Sequence, residues 1–175
     1  MTDLKHYSRL AEMFRYPDNG QKDHLQEWRE IISGYDNGLM QKYDPFRIHI
    51  MSKTVAERQE YYISTFDVQA LCFLDIGYVL FGEDHRRGVF LSQMKHEQES
   101  AGNPCENELA DHLPNVLTLL PRIEDKELVL EMMDSALIPA IREMVRSFGT
   151  IENVYRGLLE ILEFIMESDY KKMKQ

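Results

Sequence analysis

The chain has few of the residues that usually advertise a chemistry. It holds only two cysteines in 175 residues, Cys72 inside an apolar run and Cys105 just after Pro104, so neither a CxxC pair nor a disulfide framework can be read from it. Reduced thiols are the simpler expectation. No GxGxxG or P-loop pattern occurs, which removes the common nucleotide-binding fingerprints. Its nine glycines and six prolines are scattered as caps and turns. No stretch keeps the strict apolar–polar alternation of a half-buried strand. The longest apolar run, Val68 to Phe81, is interrupted by Asp75 and is shorter than the roughly 20 residues a bilayer requires; it reads as a central buried helix.

Basic charge is scarce as well. Thirty acidic residues against twenty Lys and Arg give a formal charge of −10, which repels nucleic acid and anionic lipid and steers in a basic partner. A hydrophobic fraction of 43%, with little Gly and Pro, argues for a folded, helix-rich chain rather than a disordered one. The length fits one domain over 1–175 with a real core, although a small second lobe is not excluded. Arg86-Arg87 before Val89, Phe90 and Leu91 has the look of a twin-arginine export signal, yet it stands mid-chain and is followed by Ser92, Gln93 and Lys95. The N-terminal ten residues are charged and carry no apolar region, so the expected compartment is the cytoplasm.

Helical periodicity recurs from end to end and predicts an all-α globule of roughly eight helices. Thr2 can cap a first helix in which Leu4, Tyr7, Leu10, Ala11 and Phe14 share a face, ending before Tyr16-Pro17. A short helix follows from about Lys22 to Ile32. Residues 33–51 form the longest break, where a hinge or flexible loop is expected. Ser52 can cap a helix carrying Val55, Tyr62 and Phe66; Gly82 stops the apolar helix, and Asp84 caps the helix with the arginine pair. After the break at Ser100–Cys105 a helix is expected from about Glu106 to Leu120. Another starts near Asp125 and is kinked or restarted at Pro139. Thr150 caps the last, with Ile151, Val154, Tyr155, Leu158, Ile161, Leu162 and Ile165 as its apolar face.

Glu108-Leu-Ala-Asp111-His112 is the stretch closest to a metal motif, since Glu108 and His112 would share a helix face. A helical-bundle metalloenzyme would need a second such element, and neither an HExxH nor another Glu-x-x-His exists. The bland reading is a first helical turn whose acids favour the dipole. Neither cysteine has the surround of a nucleophile. Arg86 and Arg87 have a structural reading too, bracing the acidic Glu83 and Asp84. Tyr61, Tyr62 and Phe66 at helical spacing fit a core as readily as a binding surface.

The order of several short motifs nevertheless resembles one family. Tyr16-Pro17-Asp18, Tyr62-Ile-Ser-Thr-Phe66-Asp67, Phe81-Gly82-Glu-Asp-His-Arg86-Arg87-Gly88, Glu108-Leu-Ala-Asp111-His112-Leu113-Pro114 and Leu137-Ile-Pro139-Ala140 follow one another as in the NarJ-like branch of the TorD/NarJ molybdoenzyme assembly chaperones. The likeness covers about residues 7 to 165. It implies an all-helical, non-enzymatic chaperone of the cytoplasm, without a cofactor of its own. Such a protein binds the N-terminal leader of a molybdoenzyme catalytic subunit while molybdenum cofactor and iron–sulfur clusters are inserted, and can meet the cofactor insertion machinery. The resemblance makes Glu108, Asp111 and His112 the recognition residues, with Tyr62, Phe66 and Asp67 lining or supporting the groove. It assigns Gly82, Arg86, Arg87, Gly88, Leu113 and Pro114 to structural positions. Leu109-Ala110-Asp111 departs from the Leu-Pro-Asp common among nitrate reductase chaperones, so the client stays open among related molybdoenzymes. Nucleic acid and membrane insertion are not expected partners.

Overall fold

The computed structural model describes residues 3–175; the expected cap Thr2 lies outside the described residues. Ten α-helical segments follow one another: α1 His6–Ala11, α2 Leu25–Tyr35, α3 Met40–Ser52, α4 Val55–Phe66, α5 Ile76–Phe81, α6 Arg86–Ser100, α7 Leu113–Leu119, α8 Lys126–Met132, α9 Ile138–Ser147 and α10 Val154–Lys174. Among the described residues there is no strand, only one isolated antiparallel bridge between Asp75 and His112. The all-α expectation therefore holds. No described helix is long and apolar enough to cross a membrane.

The 21-residue α10 is the axis of the globule. Tyr155, Leu158, Ile161, Leu162 and Ile165 are fully buried, as their 3.6-residue spacing requires, whereas Ile151 lies before the helix and is exposed. The cap is Asn153, whose side chain accepts the Tyr155 N–H at 2.9 Å, rather than the expected Thr150. α3 and α9 pack along α10. α3 crosses it so closely that a Cβ on Gly157 would stand 2.8 Å from the Lys42 carbonyl oxygen. Near the far end of α10, the buried Asp169 carboxylate receives the Tyr7 and Tyr35 hydroxyls at 3.0 and 2.8 Å and contacts His6 Nε2 at 2.8 Å, tying α10 to α1 and α2.

Four segments differ from their sequence reading. The expected break at 33–51 is largely helix: α2 runs on to Tyr35, and α3 begins at Met40 with Tyr43, Phe46 and Ile50 buried at i, i+3 and i+7. Its helix tolerates Pro45. The Val68–Phe81 run is not one buried helix, because Leu71 and Cys72 turn back to donate to the Thr65 carbonyl, Gln69 sits at φ 50°, and only Ile76–Phe81 is helical. Ser52 ends α3; the cap of α4 is Thr54, in a reciprocal box with Glu57. The expected helix from Glu106 begins only at Leu113. Other marks fall where they were expected: Gly82 closes α5 at φ 57°, Asp84 accepts the first N–H of α6, and a π turn over Met133–Leu137 precedes Pro139.

Candidate functional site

One face of the globule is built from three segments that leave the helices: 15–21 after α1, 67–75 after α4, and 103–112 before α7. Each is held by specific bonds. The Tyr62 hydroxyl of α4 donates to the Phe14 carbonyl at 2.8 Å, and Gln59 donates to the Pro17 carbonyl at 2.8 Å. The buried Arg58 guanidinium donates to Gln21 and, at 3.2 Å, to the Asp18 carbonyl. The second and third segments are stitched together by Ile76 N–H to the Asp111 carbonyl at 3.0 Å and Leu113 N–H to the Leu74 carbonyl at 2.9 Å.

Between these segments lie two adjoining hollows of about 310 and 560 Å³. They share Tyr16, Tyr62, Glu108 and His112, which form the saddle between them. The larger hollow is lined by Ile63, Phe66, Phe73 and Leu74, with Asp67 and Asp75 at its edge. Glu12, Arg15, Asp18, Gln21, His24 and Glu106 line the smaller. Tyr16 and Phe73, 53% and 42% exposed, present aromatic surface to solvent here. Tyr16 packs edge-on against Tyr62 at 5.7 Å, and Tyr62 against Phe66 at 4.9 Å.

The electrostatics are one-sided. Arg15 is paired with Glu12 at 3.0 Å and His112 Nδ1 with Asp75 at 3.0 Å. Asp18, Asp67, Glu106 and Glu108 also border the hollows, and among the described residues none of them has an ion-pair partner. Burial, and next the nearby Glu108 charge, push the Tyr62 hydroxyl well above its ordinary pKa, so it stays a neutral donor.

Of the residues predicted from sequence, Glu108, His112, Tyr62, Phe66 and Asp67 all border this groove. Asp111 does not. It is 1% exposed, and its carboxylate accepts the Gly77 N–H at 2.8 Å, fixing the start of α5 behind the groove. Burial pushes its pKa up. A Cβ on Gly77 would stand 2.8 Å from that carboxylate, so glycine is what lets the two meet. Tyr16 and Phe73 are groove residues that sequence reasoning left among motif and core positions. The signal in each case was an aromatic residue beside a chain break, before Pro17 and after the Asp67 helix end.

The basis of the metal reading is gone: Glu108 lies in the 103–112 segment rather than on a helix with His112, and the His112 ring is already bonded to Asp75. Among the described residues no three His, Cys, Asp or Glu side chains converge as metal ligands would. Cys72 is buried, and its thiol is pushed up to about 12 by that burial, which makes it a poor nucleophile. Of the arginine pair expected to brace Glu83 and Asp84, only the Arg86 side chain contacts an acid there. Arg86 pairs with Asp84 at 3.1 Å and lies over Phe81; Arg87 lies 4.9 Å over the Tyr78 ring, which itself packs on Phe73 at 4.7 Å.

No protein-family model matches the chain. It is 27% identical over 166 residues, 93% of its length and 88% of the relative's, to a Bacillus subtilis (strain 168) protein named as a probable nitrate reductase molybdenum cofactor assembly chaperone, NarJ. That similarity extends along nearly the whole chain and agrees with the motif order and the all-helical globule.

Proposed function

We propose that the chain is a molybdenum cofactor assembly chaperone for nitrate reductase or a closely related molybdoenzyme. It would bind the N-terminal leader of the catalytic subunit in the groove between residues 15–21, 67–75 and 103–112, acting in the cytoplasm and without turnover. The similarity to NarJ supports the assembly role and a non-enzymatic one. The observation that carries the peptide reading is the saddle of Tyr16, Tyr62, Glu108 and His112, with Phe66 and Phe73 in the larger hollow and carboxylates bordering both.

Magnitudes divide the labour between the two sides. Burying one Leu- or Phe-sized side chain of a leader is worth about 1.5–3 kcal/mol, whereas an exposed ion pair is worth about 0–1 kcal/mol. Tyr16, Phe66 and Phe73 thus supply most of the affinity. Asp67, Glu106 and Glu108 supply attraction and selection of a basic peptide, an effect felt mainly in association rate and salt dependence. His112 offers a donor or acceptor at the saddle, while Asp111 acts by position. An apolar and basic leader lying in such a groove would be shielded until assembly is complete.

Affinity capture from cells grown at low oxygen, followed by mass spectrometry, tests the assignment. Recovery of an immature molybdoenzyme catalytic subunit by the intact protein, and its loss with a combined Tyr16→Ala and Phe73→Ala variant, is the expected outcome. Equal recovery by both would place the client elsewhere on the surface.

A further inference from the structure

Residues 104–112 bring Glu106 and Glu108 to the groove, yet they form neither helix nor strand. Glu106 even sits at φ 53°, a region that a non-glycine residue holds only where its surroundings impose it. The backbone groups of such a segment must find partners outside regular structure. Three of its carbonyls find two buried carboxamides, which a third braces. Asn115 of α7 donates to the Cys105 and Leu109 carbonyls at 3.2 and 3.0 Å. Gln98 of α6 donates to the Ala110 carbonyl at 2.9 Å and to that of Asn115 at 3.2 Å. Asn103 in turn reaches Gln98 Oε1 at 2.6 Å, the Asn115 carbonyl at 3.0 Å and the Thr118 hydroxyl at 3.1 Å. All three are buried, whereas Glu106 and Glu108 are exposed.

We infer that Gln98, Asn103 and Asn115 are positioning residues of the recognition site: a buried amide clasp that holds the 104–110 segment in the shape presenting Glu106 and Glu108, and thereby sets charge selectivity. The inference rests on the peptide-binding reading above. Apolar side chains could fill the same volume between α6 and α7, but they could not donate to the segment's carbonyl groups, and unpaired buried polar groups are strongly disfavoured. None of the three amides borders the hollows, so their effect on a ligand passes entirely through the segment they hold.

The test is a double-mutant cycle between Asn103→Ala, at the segment's own edge, and Glu108→Gln. It is read by calorimetry with a synthetic N-terminal peptide of a nitrate reductase catalytic subunit at two salt concentrations, together with hydrogen exchange of the 104–112 amides. In the wild-type background Glu108→Gln should weaken binding several-fold, and in the Asn103→Ala background by less than about twofold, because coupled residues are not additive. Salt dependence should flatten likewise. Exchange of the 104–112 amides should quicken by about tenfold or more while α10 stays protected. Additive penalties, or unchanged protection of 104–112, would overturn the clasp. Absence of peptide binding by the wild type would instead overturn the peptide-binding reading, with exchange alone then judging the clasp. Asn115→Ala is the second variant; should it fail to fold, Asn103→Ala still decides.

Discussion

His112 Nδ1 lies 3.0 Å from the Asp75 carboxylate, and this contact joins the two walls of the groove. It is flanked by the backbone bonds from Ile76 to Asp111 and from Leu113 to Leu74, so three links lie within a few residues. Replacing His112 with Ala removes only the side-chain link. A half-buried hydrogen bond of this kind contributes about 1 kcal/mol, so the fold should survive with a modest fall in melting temperature. Leader affinity should fall by more than that loss of stability explains. Calorimetry of the folded variant checks this, and unchanged affinity would remove His112 from the site.

Asp111→Asn separates position from contact. The buried carboxylate has its folded pKa raised, chiefly by burial, so its ionised form is disfavoured in the fold relative to the unfolded chain. An asparagine can still accept the Gly77 N–H without that charge. The variant should therefore melt at or above wild type at pH 7. Its advantage should shrink as pH falls through the raised folded value and the wild-type carboxyl becomes neutral. Leader affinity should be unchanged. A large loss of affinity at full stability would show that the carboxylate contacts the ligand.

Asp169 shifts the other way. Burial works against its ionised form, but hydrogen bonds from His6, Tyr35 and Tyr7 outweigh it and hold the folded pKa below the usual carboxylate value. Such a group stabilises the fold above the unfolded pKa of about 3.9, and the contribution is lost as pH falls through the lower folded value. Asp169→Asn should cost about 2 kcal/mol at neutral pH. Denaturant titrations from pH 7 down to 3 should show the gap to wild type closing below about pH 4. A gap independent of pH would mean that the charge contributes nothing.

Gly157→Ala opposes two effects of known size. Alanine gains up to about 1 kcal/mol of helix propensity over glycine. The new methyl, however, would meet backbone, the Lys42 carbonyl oxygen at 2.8 Å, which cannot swing aside as a flexible side chain would. Overpacking of about 1–3 kcal/mol should win, and chemical denaturation should report net destabilisation. A more stable variant would mean that α3 and α10 can part without penalty.

The fold class was readable because α1 and α10 repeat their apolar residues at helical spacing and bury those same side chains. The misread segments have physical reasons. In α3 the exposed Ile48 and Met51 obscure the buried Tyr43–Phe46–Ile50 stripe, and Pro45 reads as a break. Val68 and Phe73 made 68–81 look like core, although both are exposed and Phe73 lines the groove. Residues 106–112 are rich enough in helix formers to pass for a first turn, but Pro114 marks the true start, since its missing N–H is tolerated at a helix N-terminus. Of the residues bordering the groove, Glu108, His112, Tyr62, Phe66 and Asp67 stand in the motifs the sequence offers. Their convergence was not legible, because it depends on side chains such as Asn115 and Arg58 bonding distant backbone carbonyls.

The central claim is that the groove binds a leader through both of its walls. The most direct measurement is isothermal titration of the purified protein with a synthetic N-terminal peptide of a nitrate reductase catalytic subunit, alongside Phe73→Ala, Glu108→Gln and a distant Glu143→Gln control. Saturable binding that weakens about tenfold or more with Phe73→Ala, becomes less salt-dependent with Glu108→Gln, and is unmoved by the control is the predicted result. Binding indifferent to Phe73 and Glu108, or no binding at all, would contradict it.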